Sequence, residues 1–187
     1  LAPKLDTLFE LKREEANIKA GIMGVTPYEA LLDQFDPGRR ETQVDAIFDD
    51  LAAFLPGFVP QVMQKQAALP APVMPQGPFP VARQAELSHE IMRVFGFPFD
   101  RGRLDTAHHP FSGGADGDIR ITTRYDESDF MKSLMAVIHE TGHALYENGC
   151  PPEWQGQPVG QSRGMTLHES QSLLLEMQAA RSEGFIR

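Results

Sequence analysis

Phe130-Met-Lys-Ser-Leu-Met-Ala-Val-Ile-His-Glu-Thr-Gly-His-Ala-Leu-Tyr146 is the stretch on which the reading of this chain turns. Apolar residues at Phe130, Leu134, Val137, Ile138, Leu145 and Tyr146 recur at helical spacing, so it reads as a largely buried helix. A buried helix rarely carries two histidines and a glutamate. His139 and His143 stand four residues apart, which puts both imidazoles on one face, one turn above the other. Glu140 is rotated by about 100° from His139, on the flank of any metal the pair binds. This is the His-Glu-x-x-His arrangement, in which two imidazoles hold zinc and the glutamate activates a water. The plainer alternative is a helix with surface His and Glu residues. Against it, Val137, Ile138, Thr141, Gly142, Ala144 and Leu145 are all uncharged, as a helix facing a dry metal cavity requires. Gly142 costs about 1 kcal/mol against Ala inside a helix. Close approach of a neighbouring segment justifies it, and so would an ordinary helix–helix contact.

A catalytic zinc needs a third protein ligand and an open position. The extended pattern with a third histidine just downstream requires Gly three residues after the second His, where this chain has Tyr146. The candidates are therefore carboxylates further on. Glu147 lies on the same helix and Glu153 in a Pro-rich turn. Glu169 heads an apolar-periodic run containing Leu173, Leu174 and Met177. It follows His143 by enough residues for a loop and a return on an antiparallel helix, which makes it the best of the three.

His139-Glu-Thr-Gly-His143 followed by His168-Glu-Ser-Gln-Ser172 resembles the thermostable carboxypeptidase Taq family of zinc metallocarboxypeptidases. His109-Pro-Phe111, Asp118-Ile-Arg-Ile-Thr-Thr123, Tyr28-Glu-Ala-Leu-Leu-Asp33 and Pro37-Gly38 resemble further family signatures, in the expected order. The resemblance covers essentially all 187 residues. It implies a mainly α, zincin-like helical fold with a small β element next to the metal helix, in one catalytic fragment spanning 1–187. It implies hydrolysis of the C-terminal peptide bond of peptides. Zinc, or another divalent ion such as cobalt, is held by His139, His143 and Glu169, and Glu140 serves as general base and acid. His109, Arg120, Thr122 and His168 are candidates for substrate contacts or for supports of the ligands. His168 cannot share the face of Glu169, so it reads as such a support rather than a fourth ligand. The family also implies a homodimer in the full-length protein. Two other readings stay open: a zinc endopeptidase with the same ligands, and a truncated metal-binding fragment without catalysis. Counterparts of the family's N-terminal helices and last two motifs are missing. The chain therefore reads as part of a longer protein, expected to be weakly active or inactive by itself.

Composition sets the other bounds. At 187 residues and 41% hydrophobic, the chain can bury one sizeable core. Its net charge is −9, and no basic cluster exceeds Arg39-Arg40, which argues against nucleic acid. The single Cys150 precludes an internal disulfide and suits a reducing, cytoplasmic compartment. No apolar run approaches a membrane span and no signal peptide is visible.

From the start, residues 4–20 read as a helix with a solvated Lys12-Arg-Glu-Glu15 patch. Thr26-Pro-Tyr-Glu29 is a helix start with Thr as N-cap, running through Leu32. A longer helix follows with a stripe from Val44 to Met63, read as core rather than a cofactor site, expected to need more covering helices than this chain provides and to be kinked or broken at Pro56 and Pro60. Residues 69–80 contain Pro70, Pro72, Pro75, Pro78 and Pro80 and read as a surface loop rather than a domain boundary. A helix is expected over 81–95, with His89 partly exposed. Residues 105–117 read as a loop. Residues 118–125 alternate apolar and polar and are the best strand in the chain. It is expected to be an edge strand, beside the metal helix, on which an extended peptide could pair.

Overall fold

The computed structural model describes residues 1–115 and 117–187. Asp116, inside the stretch read as a loop, lies outside the described residues. The chain divides into two compact units, Leu1–Met74 and Pro75–Arg187, and the division falls within the proline-rich stretch 69–80.

The first unit is helical. α1 (Ala2–Met23) ends on Gly24, whose φ of 68° is the left-handed conformation that closes a helix, its N–H donating to the Ala20 carbonyl. α2 (Pro27–Leu32) opens as expected. The Thr26 hydroxyl accepts from the Glu29 N–H, and the Glu29 side chain accepts from the Thr26 N–H. Glu29 also accepts from the Glu41 N–H at the start of α3 (Glu41–Ala67), so one buried carboxylate joins two helix starts. Those backbone donors hold its pKa below the usual glutamate value. Thr26→Ala should cost about 1 kcal/mol, measurable as a lower urea midpoint.

α3 rules out a break at the prolines and leaves its apolar stripe uncovered. It runs unbroken through Pro56 and Pro60, and none of its residues is buried. The prolines remove N–H donors to the carbonyls of Ala52 and Pro56. On an exposed helix water can satisfy those carbonyls, so the interruption is tolerated. Ile47, Phe48, Leu51, Phe54, Leu55, Phe58, Val59 and Met63 are exposed rather than core. By length and composition alone α3 is long and apolar enough to cross a membrane. With Asp49, Asp50 and two prolines inside it, composition alone does not make it a span.

The second unit holds the chemistry-bearing motifs. α4 (Val81–Val94) is followed by β1 (Gly102–Thr106), β2 (Phe111–Ala115) and β3 (Asp118–Thr123), then by α5 (Phe130–Asn148). Two short 3₁₀ turns, Pro152–Trp154 and Pro158–Gly160, lead to α6 (Gly164–Leu173). α6 continues as a π-helical turn, Leu174–Ala179, and α7 (Glu183–Ile186) ends the chain.

The stretch read as a loop thus contains the last two residues of β1, Asp105 and Thr106, and all of the described β2. Neither shows the alternation that reveals a strand: β1 has one apolar residue, Leu104, and β2 is Phe-Ser-Gly-Gly-Ala. Gly114 is required there, because a Cβ would stand 1.9 Å from the Asp118 carbonyl oxygen across the ladder. The strand order is β1-β3-β2, with β1 parallel and β2 antiparallel to β3. β3 is therefore central, not an edge. Both of its backbone edges are used in the ladders, which leaves β2 and β1 as edges.

Alternation along β3 buries Ile119, Ile121 and Thr123 and exposes Arg120. Ile119 and Ile121 join Met92, Phe97, Val137 and Ala144 in one core cluster; Leu134 and Ile138 join Ala180 in another. α5 is thus wedged between the sheet, α4 and the π-helical turn. The buried Gln84 fixes its entry: its amide donates to the carbonyls of Phe79 and Asp126 and accepts from the Ser133 hydroxyl. The Asp129 side chain caps α5 by accepting from the Met131 N–H.

Candidate metal centre

α5 and α6 pack closely enough that a side chain at the crossing would not fit. A Cβ on Gly142 would stand 2.5 Å from the Ser172 Cα and 2.7 Å from the Gln171 carbonyl oxygen. Of the two justifications for this glycine, close backbone approach is the one observed. The crossing brings Glu169, on α6, opposite the two histidines of α5.

His139 Nε2 and His143 Nε2 are 3.2 Å apart. Glu169 Oε2 lies 3.2 Å from His143 Nε2 and 3.7 Å from His139 Nε2. The three donor atoms fall within 4.8 Å of one another, a group able to hold a metal ion. Ligands about 2.0–2.1 Å from a tetrahedral zinc lie about 3.3 Å from each other. The observed separations fit such an ion, and the donor set of two imidazoles and a carboxylate leaves one position open. His143 is 12% exposed and Glu169 45%, so the group is closed towards the helices and open on the carboxylate side.

The electrostatics favour ligand forms. Burial lowers the His143 pKa, and the neighbouring His168 and His139 lower it further, which favours the neutral ring that can donate a lone pair. Burial raises the Glu140 pKa above the ordinary glutamate value. Glu169 adds to this, while His139, His109 and His168 oppose it. A carboxyl raised in this way is a better proton acceptor when ionised.

The other residues singled out in the sequence are placed as follows. His168 is buried on α6. Its Nδ1 meets His143 Nδ1, and its Nε2 is 3.0 Å from Glu147 Oε1. His109 is exposed; its carbonyl accepts from the Thr122 hydroxyl, and its ring is close enough to influence Glu140. Arg120 forks onto Asp118 through Nε and Nη2, on the sheet face opposite the one that packs on α5. This ion pair is the structural use of Arg120.

Sequence reasoning missed Glu176. Its Oε2 is 3.0 Å from His139 Nδ1, and its Oε1 accepts from Arg181 Nη2 at 2.6 Å. Burial works to raise its pKa, but the hydrogen bonds from Arg181 and His139 outweigh burial and hold it below the usual value. The available signal was spacing, since Glu176 follows Glu169 by seven residues, two helical turns on one face. A cavity of about 680 Å³ is lined by Ser112, Gly113 and Gly114 of β2, by Gln155 and Ser162, and by Glu147, the partner of His168; the three donor residues do not line it. The Ser112 hydroxyl is buried without a hydrogen-bond partner among the described residues.

The relatives of this chain among known proteins are metallopeptidases and carboxypeptidases. The family model described as carboxypeptidase Taq (M32) metallopeptidase matches residues 1–187. Thermostable carboxypeptidase 1 of Thermus thermophilus is 35% identical over 98% of this chain and 37% of its own length. Carboxypeptidase 1 of Bacillus subtilis is 39% identical over 85% of this chain and 32% of its own. The chain thus spans about a third of the length of these relatives. Among solved structures, Trypanosoma cruzi metallocarboxypeptidase 1 superposes with a TM-score of 0.86 at 47% identity, over 96% of this chain and 38% of that one. With a match along its whole length and relatives above 30% identity, the chain belongs to the carboxypeptidase Taq (M32) family of metallopeptidases.

Proposed function

We propose that this protein is a zinc-dependent carboxypeptidase that hydrolyses the C-terminal peptide bond of peptides. In this reading His139, His143 and Glu169 hold the ion and Glu140 moves the protons. The observation that carries it is the convergence of three donor atoms within 4.8 Å, with Glu140 adjacent in sequence to one of them. A divalent ion bound there supplies Lewis acidity towards the scissile carbonyl and lowers the pKa of a water. Glu140 accepts the proton of the attacking water and delivers it to the leaving amine. Its flank position on α5 keeps it free for that task, since the ion is held by the other three residues. Residues 1–187 act as one catalytic fragment, and an extended peptide pairs along β2, the edge strand beside the cavity.

The test is metal analysis combined with product analysis. One zinc per chain is expected, and Glu169→Ala should weaken its binding at least ~10-fold, because loss even of an outer partner typically costs that much. Unchanged affinity would remove Glu169 from the site. Release of single C-terminal residues supports the carboxypeptidase reading, whereas internal fragments from blocked peptides would make the enzyme an endopeptidase.

A further inference from the structure

We infer that Glu176 and the Glu147–His168 pair are positioning residues, which decide which ring nitrogen of His139 and of His143 is left free for the metal. The inference rests on the ligand roles proposed above for these two histidines.

A neutral imidazole has one N–H and one lone pair, and only the lone pair binds a metal. Both rings present Nε2 to the centre, 3.2 Å apart. The hydrogen must therefore sit on Nδ1 in both, although an unconstrained histidine has no such requirement. For His139 the cause is direct. Nδ1 is 3.0 Å from Glu176 Oε2, and an ionised carboxylate only accepts. The carboxylate is itself fixed, since its other oxygen accepts from Arg181.

For His143 the same result is reached through a relay. His143 Nδ1 faces His168 Nδ1, a contact that needs one N–H and one lone pair. Glu147 Oε1 lies 3.0 Å from His168 Nε2 and takes the hydrogen there. His168 Nδ1 is then the lone pair, so His143 Nδ1 carries the hydrogen and its Nε2 is free. Every donor in the chain Glu147–His168–His143 has one acceptor, and no nitrogen is asked to play both roles. Each ligand ring thus ends on a carboxylate, one directly and one through another imidazole. Such outer partners fix ring orientation and strengthen the ligand.

The backbone shows how Glu176 comes to its place. The helix changes to π-helical hydrogen bonding at Leu174–Ala179, with the Ala180 N–H donating to the Leu175 carbonyl five residues back. Single π turns inside α-helices recur at functional sites. This one lies between the Glu169 turn and Arg181, and it contains Glu176.

Two readouts besides activity test the inference. Long-range ¹H–¹⁵N spectra of the metal-free wild-type protein report the hydrogen on each ring. The Nδ1–H form is expected for His139 and His143, and the Nε2–H form for His168. Competition with a chromophoric chelator gives the Zn²⁺ affinity. Glu176→Ala should lower it about 10–100-fold and release His139 from the Nδ1–H form, leaving His143 unchanged. Glu176→Gln, which keeps an acceptor oxygen, should restore most of the affinity. Nε2–H on either ligand ring of the wild-type protein would overturn the inference, as would undiminished affinity in a folded Glu176→Ala protein. If that variant does not fold, the wild-type spectra decide alone. A wild-type protein that binds no zinc would defeat the proposed function instead, and the spectra would still read the tautomers.

Discussion

Glu140→Gln, in a full-length context, should keep its zinc and lose turnover by a factor of about 10² to 10⁴. The amide is nearly isosteric with the carboxylate, so the fold of α5 and the three donor atoms have no reason to change. What changes is chemistry, because an amide does not accept a proton at neutral pH. Glu140 is one residue from His139 yet contributes no atom to the converging donors, so its loss separates catalysis from metal binding. Burial raises its pKa, which brings the proton acceptor closer to the working pH and makes the loss larger than at an exposed carboxylate. The measurement is kcat for release of C-terminal amino acids at equal metal content. A near-wild-type kcat at equal zinc occupancy would remove Glu140 from the mechanism.

The parts of this structure that were legible in the sequence are those fixed by local rules. The apolar period of 130–146 gave α5, Thr26 with Glu29 gave the start of α2, and the alternation of 118–125 gave β3. What failed depended on partners distant in sequence. β1 and β2 carry no alternation of their own and are strands because β3 supplies their hydrogen bonds on both sides. For the same reason β3 could not be recognised as central. The apolar stripe of α3 signals a surface able to be covered, not one that is covered in this chain.

The site divides in the same way. His139 and His143 are related by helical spacing, and Glu169 could be reached by asking where an antiparallel helix would return. Glu176 and Glu147 reach their histidines through side-chain hydrogen bonds across the packed helices, and the π-helical turn that carries Glu176 leaves no mark in composition. Gly142 was the one residue that signalled the crossing beforehand. An interior helical glycine is unfavourable unless something needs its missing side chain.

Gly142→Ala should therefore disturb the metal centre without touching any donor. Helix propensity alone would make the change favourable by about 1 kcal/mol. The new methyl, however, would meet Ser172 Cα at 2.5 Å, the Gln171 carbonyl oxygen at 2.7 Å and Ser172 N at 2.9 Å. All three are backbone atoms, so no side chain can rotate aside, and Ser172 itself is fully buried. α6 must retreat by roughly 1 Å to restore ordinary contact, and overpacking of this kind typically costs about 1–3 kcal/mol. Retreat carries Glu169 away from His143 and His139, and it pulls on His168 and Glu176, which hold the outer nitrogens of the same rings. Metal donors tolerate only about 0.2 Å. Because one proposed ligand and the proposed supports of both others would move together, zinc affinity should fall by roughly a hundredfold or more, beyond the ~10–100-fold of losing one support. Thermal melts with and without zinc, together with chelator competition, measure both parts. The expected pattern is a lower Tm in the metal-free protein and a much smaller stabilisation by zinc than in the wild type. A raised Tm with wild-type affinity would mean that α6 yields without moving its donors. The close crossing at Gly142 would then be an ordinary helix contact rather than the feature that sets the distance between Glu169 and the two histidines.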